Sequence, residues 1–171
     1  MRKRLISTLG TNAPAPGHDW LQLAKAAVVE VTSEAEGYSI EEALLTDGTR
    51  DWKANVSSLQ IIRLVFDHPQ TIEVIRLVFR EEECERTQEF VLRWLPNGGD
   101  CWRDIIRQQW NFSPPNTVQE CEEYNSKLVA AIGLELTINP DLSRGNGRAS
   151  LERVQLSVPA DIVETENPIG S

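Results

Sequence analysis

The chain has 171 residues, of which 40% are hydrophobic, and a formal net charge of -9. This length and hydrophobic fraction suffice for one domain with a substantial core and leave little room for two. Because the acidic residues are spread along the chain, the charge argues against a general affinity for nucleic-acid backbones. Cys84, Cys101 and Cys121 have no CxxC spacing and no neighbouring histidine, which excludes a disulfide framework and a zinc site as expectations.

Neither end of the chain has a periodic apolar face. Residues 1–18 begin MRKR and continue through TNAPAPG, which predicts a flexible N-terminal arm, and residues 159–171 are predicted to be an acidic tail. The apolar run in LISTLG is too short for a secretory signal or a membrane span. We therefore expect a folded domain over residues 19–158, no membrane association and a cytoplasmic location.

The clearest pattern lies in residues 88–112, QEFVLRWLPNGGDCWRDIIRQQWNF. Phe90, Leu92 and Trp94 fall at every second position, which predicts a half-buried strand. The segment PNGGD follows, and its proline and two glycines predict a hairpin turn. The alternation then resumes, with Trp102, Ile106 and Trp110 expected on the core side and Arg103, Arg107 and Gln109 on the other. Such a hairpin is not stable alone in water, so we expect further strands to cover it.

Short helical signals alternate with strands before the hairpin. Residues 20–24 indicate a turn of helix or an irregular entry, and the β-branched run after them predicts a strand over residues 26–32. In SIEEALL, Ser39 precedes Glu42 by three positions, a capping-box signature that predicts one or two helical turns over residues 39–45.

Two further strands are predicted over residues 60–66 and 71–80, and the segment DHPQ is expected to turn the chain between them. In the first, Ile62, Leu64 and Phe66 share one face. A charged edge or loop follows over residues 81–86.

Residues 118–131, after the hairpin, fit two interpretations. Their apolar residues suit a helical stripe: Val118, Cys121, Tyr124 and Leu128. Asn125, Ser126 and the strand patterns on both sides leave a strand as the other interpretation. Clear strands are predicted over residues 134–138 and 149–158, with the surface loop PDLSRGNG between them. About eight short strands with one or two short helices are typical of an all-β, antiparallel β-sandwich.

The order of these segments resembles the galactose-binding-like jelly roll. The resemblance covers residues 27–158 and rests on VVEVTS, ALLTDGTRDW, IRLVF, FVLRW and ASLERVQL, taken in series. Discoidin domains, coagulation-factor type C modules and many bacterial carbohydrate-binding modules share that fold. It implies an eight-stranded jelly-roll sandwich with ligand loops at one end, and binding rather than catalysis. The same fold also serves as a protein-interaction module, so it does not fix the partner.

The resemblance also implies a structural calcium ion. In that fold the loop matching DGTRDW often wraps Ca²⁺, with a glutamate at the start of the last strand, and the matching residues here are Asp47, Thr49 and Glu152. The chemistry is consistent, since Ca²⁺ takes six to eight oxygen ligands. An Asp-Gly pair is also an ordinary turn, and Glu152 is equally suited to a solvated position.

Sugar recognition needs an exposed aromatic plane and side chains that hydrogen-bond hydroxyl groups. The hairpin offers such residues in Trp102, Arg103, Arg107, Trp110 and Asn111, with Phe112, Asn97 and Asp100 beside them. The competing interpretation buries both tryptophans and pairs the arginines with acidic residues across the strands.

Catalysis has no recognisable motif. His18 and His68 lie beside no serine or cysteine elbow, and the acidic run EEECER raises the pKa expected for Cys84, the wrong direction for a nucleophile. We therefore expect a non-catalytic module that binds carbohydrate through loops at one end of the sandwich. The alternative is an intracellular protein-interaction module that uses the sandwich surface. The sequence predicts no oligomeric state.

Overall fold

A computed structural model describes residues 18–160; most of the predicted arm and tail lie outside the described residues. The described part has nine strands and two short helices. In chain order they are β1 His18–Trp20, α1 Leu23–Ala26, β2 Ala27–Val31, α2 Ile40–Leu44, β3 Trp52–Lys53, β4 Gln60–Arg80, β5 Arg86–Pro96, β6 Arg103–Phe112, β7 Gln119–Asn139, β8 Ser150–Leu151 and β9 Arg153–Pro159. Among these residues, no helix has the length and apolar character to cross a membrane.

The strands β4 and β7, each 21 residues long, pair antiparallel with each other along almost their whole lengths. The pairing register shifts at several points between Val65 and Val74, where both strands bend. The first half of β4 and the second half of β7 join β2, β5 and β6 in one layer, sheet I. The other halves join β1 and β9 in a second layer, sheet II.

The two layers bury one shared core, in which Phe79 of sheet II lies against Phe90 of sheet I with ring centroids 5.0 Å apart. The alternation that predicted inward faces is confirmed where it was regular. Fully or nearly fully buried positions include Ile62, Leu64, Phe66, Phe90, Leu92, Leu134, Leu136 and Ile138. The architecture is the antiparallel all-β sandwich that the sequence predicts.

One local prediction was wrong, and one open choice between helix and strand is decided for the strand, because β4 and β7 cross from one layer to the other. The segment DHPQ, residues 67–70, is not a turn, since β4 continues through it as a bent strand. Residues 119–131 are strand rather than helix, and Cys121 of the proposed helical stripe is exposed. Residues 67–69 have no registered partner on β7, and this bulge absorbs the change of direction before the pairing resumes at Gln70.

The ends of the domain show smaller differences. The predicted helix is α2, but the Ser39 side chain makes no capping hydrogen bond. The predicted last strand is divided at Glu152 into β8, which pairs with β3, and β9, which pairs with β4 and β1. The core-facing alternation changes at this division, since Leu151 in β8 and then Val154 and Leu156 in β9 are the core residues.

A bulge in the central hairpin also changes one face assignment. Leu92 pairs with Ile106 but Arg93 pairs with Asp104, so Ile105 is an extra residue in β6. Trp102 therefore lies on the outer face of sheet I, over Gly133, where an added Cβ would come within 2.8 Å of the indole. Its expected place on the core side with Trp110 was wrong, because one inserted residue inverts the alternation.

Acidic side chains point inward at the edge of sheet II. Glu120 pairs with the core residue Phe79 and is fully buried, and it shares a hydrogen bond with Glu122 on the same face. Burial first, and then the charge of Glu122, raise the pKa of Glu120 to about 8, against weaker opposing effects of Gln88 and Arg86. The Glu120 carboxyl group is thus neutral in the folded protein at pH values where it ionises in the unfolded chain.

The substitution Glu120→Gln is expected to remove a pH dependence of stability. Because the folded-state pKa lies above the unfolded value, the neutral carboxyl group stabilises the fold fully below about pH 4.5 and loses that contribution as pH rises through about 8. Between these limits the free energy of unfolding of the unsubstituted protein should fall by about 2–4 kcal/mol. Denaturant titrations at several pH values measure it, and equal pH profiles for Glu120→Gln and for the exposed control Glu123→Gln are incompatible with this assignment.

Candidate functional site

The structure does not gather the hairpin residues that the sequence singles out for ligand binding. Trp102 lies on the outer face of sheet I and Trp110 on the inner face, while Arg103 lies over the ring of Trp94, 5.7 Å from its centroid. The Oδ1 atom of Asn111 accepts a hydrogen bond from the Thr87 hydroxyl group. These side chains occupy two faces and both ends of the hairpin, so they do not line one pocket.

The outer face of the hairpin carries the cross-strand ion pairs of the competing interpretation. The Nη1 atom of Arg107 lies 2.6 Å from Oε1 of Glu89, and Gln109 donates to the other oxygen at 2.9 Å. The hydrogen bond from Gln109 and that from Arg107 hold the pKa of Glu89 below its usual value. Arg93 and Asp104 form a second pair at 2.9 Å. Arg107 is thus already occupied by partners within its own sheet.

Four of the connecting segments gather at one end of the sandwich, the loop end. Residues 32–59, 81–85, 113–118 and 140–149 all lie there, whereas at the opposite end β4 and β7 pass directly between the layers. The small β3–β8 sheet also belongs to the loop end. Loops of this kind lie on the surface and often carry binding residues, so the loop end is the place to look for a site.

A buried arginine holds these connections together. Arg86 at the start of β5 is 0% exposed, and its Nε atom lies 2.6 Å from Glu81 Oε1. Its Nη atoms donate to Gln88 Oε1 and to the carbonyl oxygen of Pro140, each at 3.0 Å, and to the Ser150 hydroxyl group at 3.2 Å. Burial alone would raise the pKa of Glu81, but the hydrogen bonds from Arg86, the Glu83 backbone and Cys84, with the charge of Arg86, together outweigh burial, and the pKa lies below the usual value. The guanidinium group thereby ties the 81–85 loop to the 140–149 loop and to β8.

The neighbouring β3 strand presents Lys53 to the surface of the loop end. Trp52 is fully buried and donates from Nε1 to the carbonyl oxygen of Ser33 at 3.0 Å. Because side chains alternate along a strand, Lys53 then points away from the core, and its Nζ atom lies 4.7 Å from the centroid of the Tyr38 ring.

Lys53 and Tyr38 line an open cleft of about 650 Å³, the Lys53 cleft. Its other lining residues are Glu36, Gly37, Thr49, Arg50, Asp51, Arg80 and Glu82. The Tyr38 side chain is 38% exposed, which leaves part of its ring free for a ligand. Arg80 is held by Glu82 at 3.1 Å, and burial, followed by the nearby charge of Glu152, raises the pKa of Asp51. The cleft combines an aromatic plane with hydrogen-bond donors and acceptors.

A second pocket of about 440 Å³ adjoins the cleft on the other side of Lys53. It is lined mainly by residues of the 81–85 and 140–149 loops, including Asp141, Asn146 and Arg148. Burial and the neighbouring Glu81 raise the pKa of the Cys84 thiol, in agreement with the direction expected from its acidic run. The cysteine therefore has no activated thiolate.

Sequence reasoning missed Tyr38, Lys53 and Arg80 as site residues. One signal was present, since the polar loop closed by Trp52 predicts a buried aromatic whose next residue faces outward. Tyr38 lies in an irregular segment with no periodic pattern, and only the fold brings it beside Lys53. Arg80 ends β4, and its role depends on the cleft that other loops form around it.

The residues of the predicted calcium site differ in exposure and in partners. Asp47 and Thr49 are exposed, whereas the Glu152 carboxylate accepts from Gln119 Nε2 at 2.9 Å and lies 3.9 Å from Arg80. Within residues 18–160, no cluster of three or more acidic, histidine or cysteine side chains is placed to hold a metal ion. This donor set does not fit a calcium site built on those three side chains.

No protein-family model and no curated protein matches the chain. Solved structures do match. The family 32 carbohydrate-binding module of NanJ from C. perfringens, in complex with galactose, is 13% identical over 82% of this chain and 98% of that chain, with a TM-score of 0.62. A family 32 module from Clostridium perfringens in complex with GalNAc-β-1,3-galactose is 16% identical over 81% and 99%, with a TM-score of 0.60. The C-terminal domain of a chitobiase from Bacteroides fragilis is 18% identical over 81% and 96%, with a TM-score of 0.57.

The chain has the galactose-binding-like jelly-roll fold. The matches extend over nearly the whole length of these modules, so they support the complete sandwich rather than one sheet. The expectation drawn from the order of the sequence segments is confirmed for the fold.

Arg86 is expected to be required for the stability of this jelly roll. Replacing it by alanine leaves the Glu81 carboxylate unpaired near the core, a change that costs about 3–5 kcal/mol in buried ion pairs. Denaturant unfolding measures the loss, with the exposed Arg50→Ala as the control, expected within about 0.5 kcal/mol of the unsubstituted protein. The double variant Glu81→Gln, Arg86→Met should regain part of the loss; an Arg86→Ala protein as stable as the control contradicts the assignment.

Proposed function

We propose that this protein is a non-catalytic module that binds carbohydrate in the Lys53 cleft at the loop end of the jelly roll. The observation that carries the proposal is the position of the partly exposed Tyr38 ring beside Lys53, Asp51 and Arg80 in one open cleft. An aromatic face can stack on the C–H surface of a sugar ring, while charged and hydroxyl groups around it hydrogen-bond the sugar hydroxyls.

The dimensions of the cleft suit a sugar. Its volume of about 650 Å³ lies within the range of small-molecule sites and leaves room for more than one sugar ring. Its open form suits the binding of a chain end or a branch rather than the enclosure of a reacting bond. We infer that the protein acts by binding alone.

The solved structures support this ligand class. Among the matching modules, one was solved with galactose, one with GalNAc-β-1,3-galactose and one with 4,5-unsaturated mannuronic acid. In this chain the cleft carries the carboxylates of Glu36, Asp51 and Glu82 as well as basic groups. Arg80, one of its cations, is already paired with Glu82 at 3.1 Å. This balance favours neutral sugars over uronic acids.

A second candidate function is protein binding at the outer face of sheet I. Val28 of β2 and Val65 of β4 pair with each other there and are 60% and 41% exposed. The Trp102 indole lies on the same face, 5.4 Å from the Arg63 guanidinium group. A patch of this kind favours the interaction-module alternative.

A glycan array followed by calorimetry with the best neutral ligand tests the proposal. Tyr38→Ala should weaken binding about 10-fold or more, because it removes the stacking plane, and should leave the melting temperature nearly unchanged, because Tyr38 is exposed. Trp102→Ala is the matched aromatic control on the sheet face and should bind normally. An array without signal contradicts carbohydrate binding, and loss of binding in Trp102→Ala alone moves the site to the hairpin residues that the sequence singled out.

A further inference from the structure

The loop that resembles a calcium loop, residues 45–51, is closed around an arginine side chain. Arg153 is the first residue of β9, directly after the division at Glu152. Its Nη1 atom donates to the carbonyl oxygens of Leu45 and, at 3.3 Å, of Glu42, and its Nη2 atom donates to the carbonyl oxygen of Gly48. Three backbone carbonyl groups from α2 and the loop therefore converge on one guanidinium group.

Carbonyl oxygens that converge in this way repel one another unless a cation lies between them. In calcium sites the ion itself is that cation, and a Gly-containing loop curls the oxygens around it. Here the charge is carried by a side chain that stays protonated at all relevant pH values and has five donors in a fixed plane. The chemistry of the donor set thus fits a guanidinium group.

The glycine of the loop fits the same arrangement. A Cβ added to Gly48 would come within 2.1 Å of the Glu42 carbonyl oxygen and 2.5 Å of Arg153 Nη1. The backbone approaches so closely that no side chain can be accommodated at Gly48. In the Asp-Gly pair of the sequence motif, Gly48 therefore has a packing role, whereas Asp47 is exposed.

The carboxylate that would complete a metal site is also engaged elsewhere. Glu152 accepts from Gln119 and faces Arg80, and its backbone N–H donates to the Val78 carbonyl oxygen at 2.7 Å. Arg153 begins β9 and reaches the loop, whereas Glu152, between β8 and β9, reaches Gln119 at the start of β7.

We propose that Arg153 is an internal cation that takes the place of calcium in this jelly roll and makes its loop independent of metal. Because Thr49, Arg50 and Asp51 of the loop line the Lys53 cleft, Arg153 also acts as a positioning residue for that cleft. The stability part of the inference does not depend on the proposed function; the positioning part rests on it.

Thermal unfolding tests the stability part without any sugar. The unsubstituted protein should melt at the same temperature, within about 1 °C, after chelation and in millimolar CaCl₂. Arg153→Ala should lower the melting temperature by roughly 5–10 °C, because it removes three charge-assisted hydrogen bonds. Arg148→Ala, an exposed arginine in the 140–149 loop, is the matched control and should change it by less than about 1 °C.

Two further arms identify the guanidinium group as the stabilising species. Guanidinium chloride at about 20 mM should raise the melting temperature of Arg153→Ala but not of the unsubstituted protein, and NaCl at equal concentration should do neither. The melting temperature of Arg153→Lys should lie between those of Arg153→Ala and the unsubstituted protein. One ammonium group lacks the planar set of donors with which a guanidinium group reaches three carbonyl oxygens.

A rise of several degrees in CaCl₂ for the unsubstituted protein overturns the proposal, and so does an Arg153→Ala protein as stable as Arg148→Ala. If Arg153→Ala does not fold, the calcium arm on the unsubstituted protein and the Arg153→Lys variant still decide it. A calcium-independent protein that fails on the glycan array refutes the carbohydrate function and leaves the role of Arg153 standing.

Discussion

The antiparallel pairing of β4 with β7 is the constraint on which the rest of this structure depends. Each strand contributes one half to each layer, so the pair forms the bend between the layers as well as neighbouring strands in both of them. Register shifts between Val65 and Val74 let the ladder change direction, and the pairing with β7 that stops after Val65 resumes at Gln70. This crossing shares one end of the sandwich with the β5–β6 turn and α1, and the longer connections lie at the opposite end.

The loop end is ordered by charged groups as well as by apolar packing. Arg86 joins two loops and β8 from inside the core, and Arg153 joins the 45–51 loop to β9. A guanidinium group can donate hydrogen bonds to several carbonyl oxygens and carboxylates at once. A single arginine can therefore hold loops that have no ladder hydrogen bonds of their own. The Lys53 cleft lies between these two arginine clusters and is bounded by the segments that they hold.

Much of the fold could be predicted because burial and alternation coincide in its regular strands. Ile62, Leu64 and Phe66, and later Leu134, Leu136 and Ile138, are buried as their spacing indicated. The failures occur where bulges interrupt the regular pairing of the strands. The bulge at Ile105 reversed the face of Trp102, and the bend at residues 67–70 had the composition of a turn. Local composition does not reveal whether a partner strand continues alongside such a segment.

The candidate site was harder to predict than the fold for a physical reason. The hairpin residues were selected because aromatic and basic side chains lie close together in the sequence, but a strand distributes neighbouring residues over two faces. Tyr38, Lys53 and Arg80 are far apart along the chain and meet only through the β3–β8 sheet and the end of β4. The sequence could identify the loop that ends at Trp52 but not the side chains that would oppose it.

The location of ligand binding is the claim that joins the fold to the proposed function. The most direct measurement is a titration of the ¹⁵N-labelled protein with the best neutral glycan from the array, followed through its backbone amide resonances. The account predicts that shifts concentrate in residues 36–38, 49–53 and 80–82, which line the Lys53 cleft. Shifts concentrated at Val65, Gly133 and the Trp102 indole, with the loop end unchanged, would contradict it.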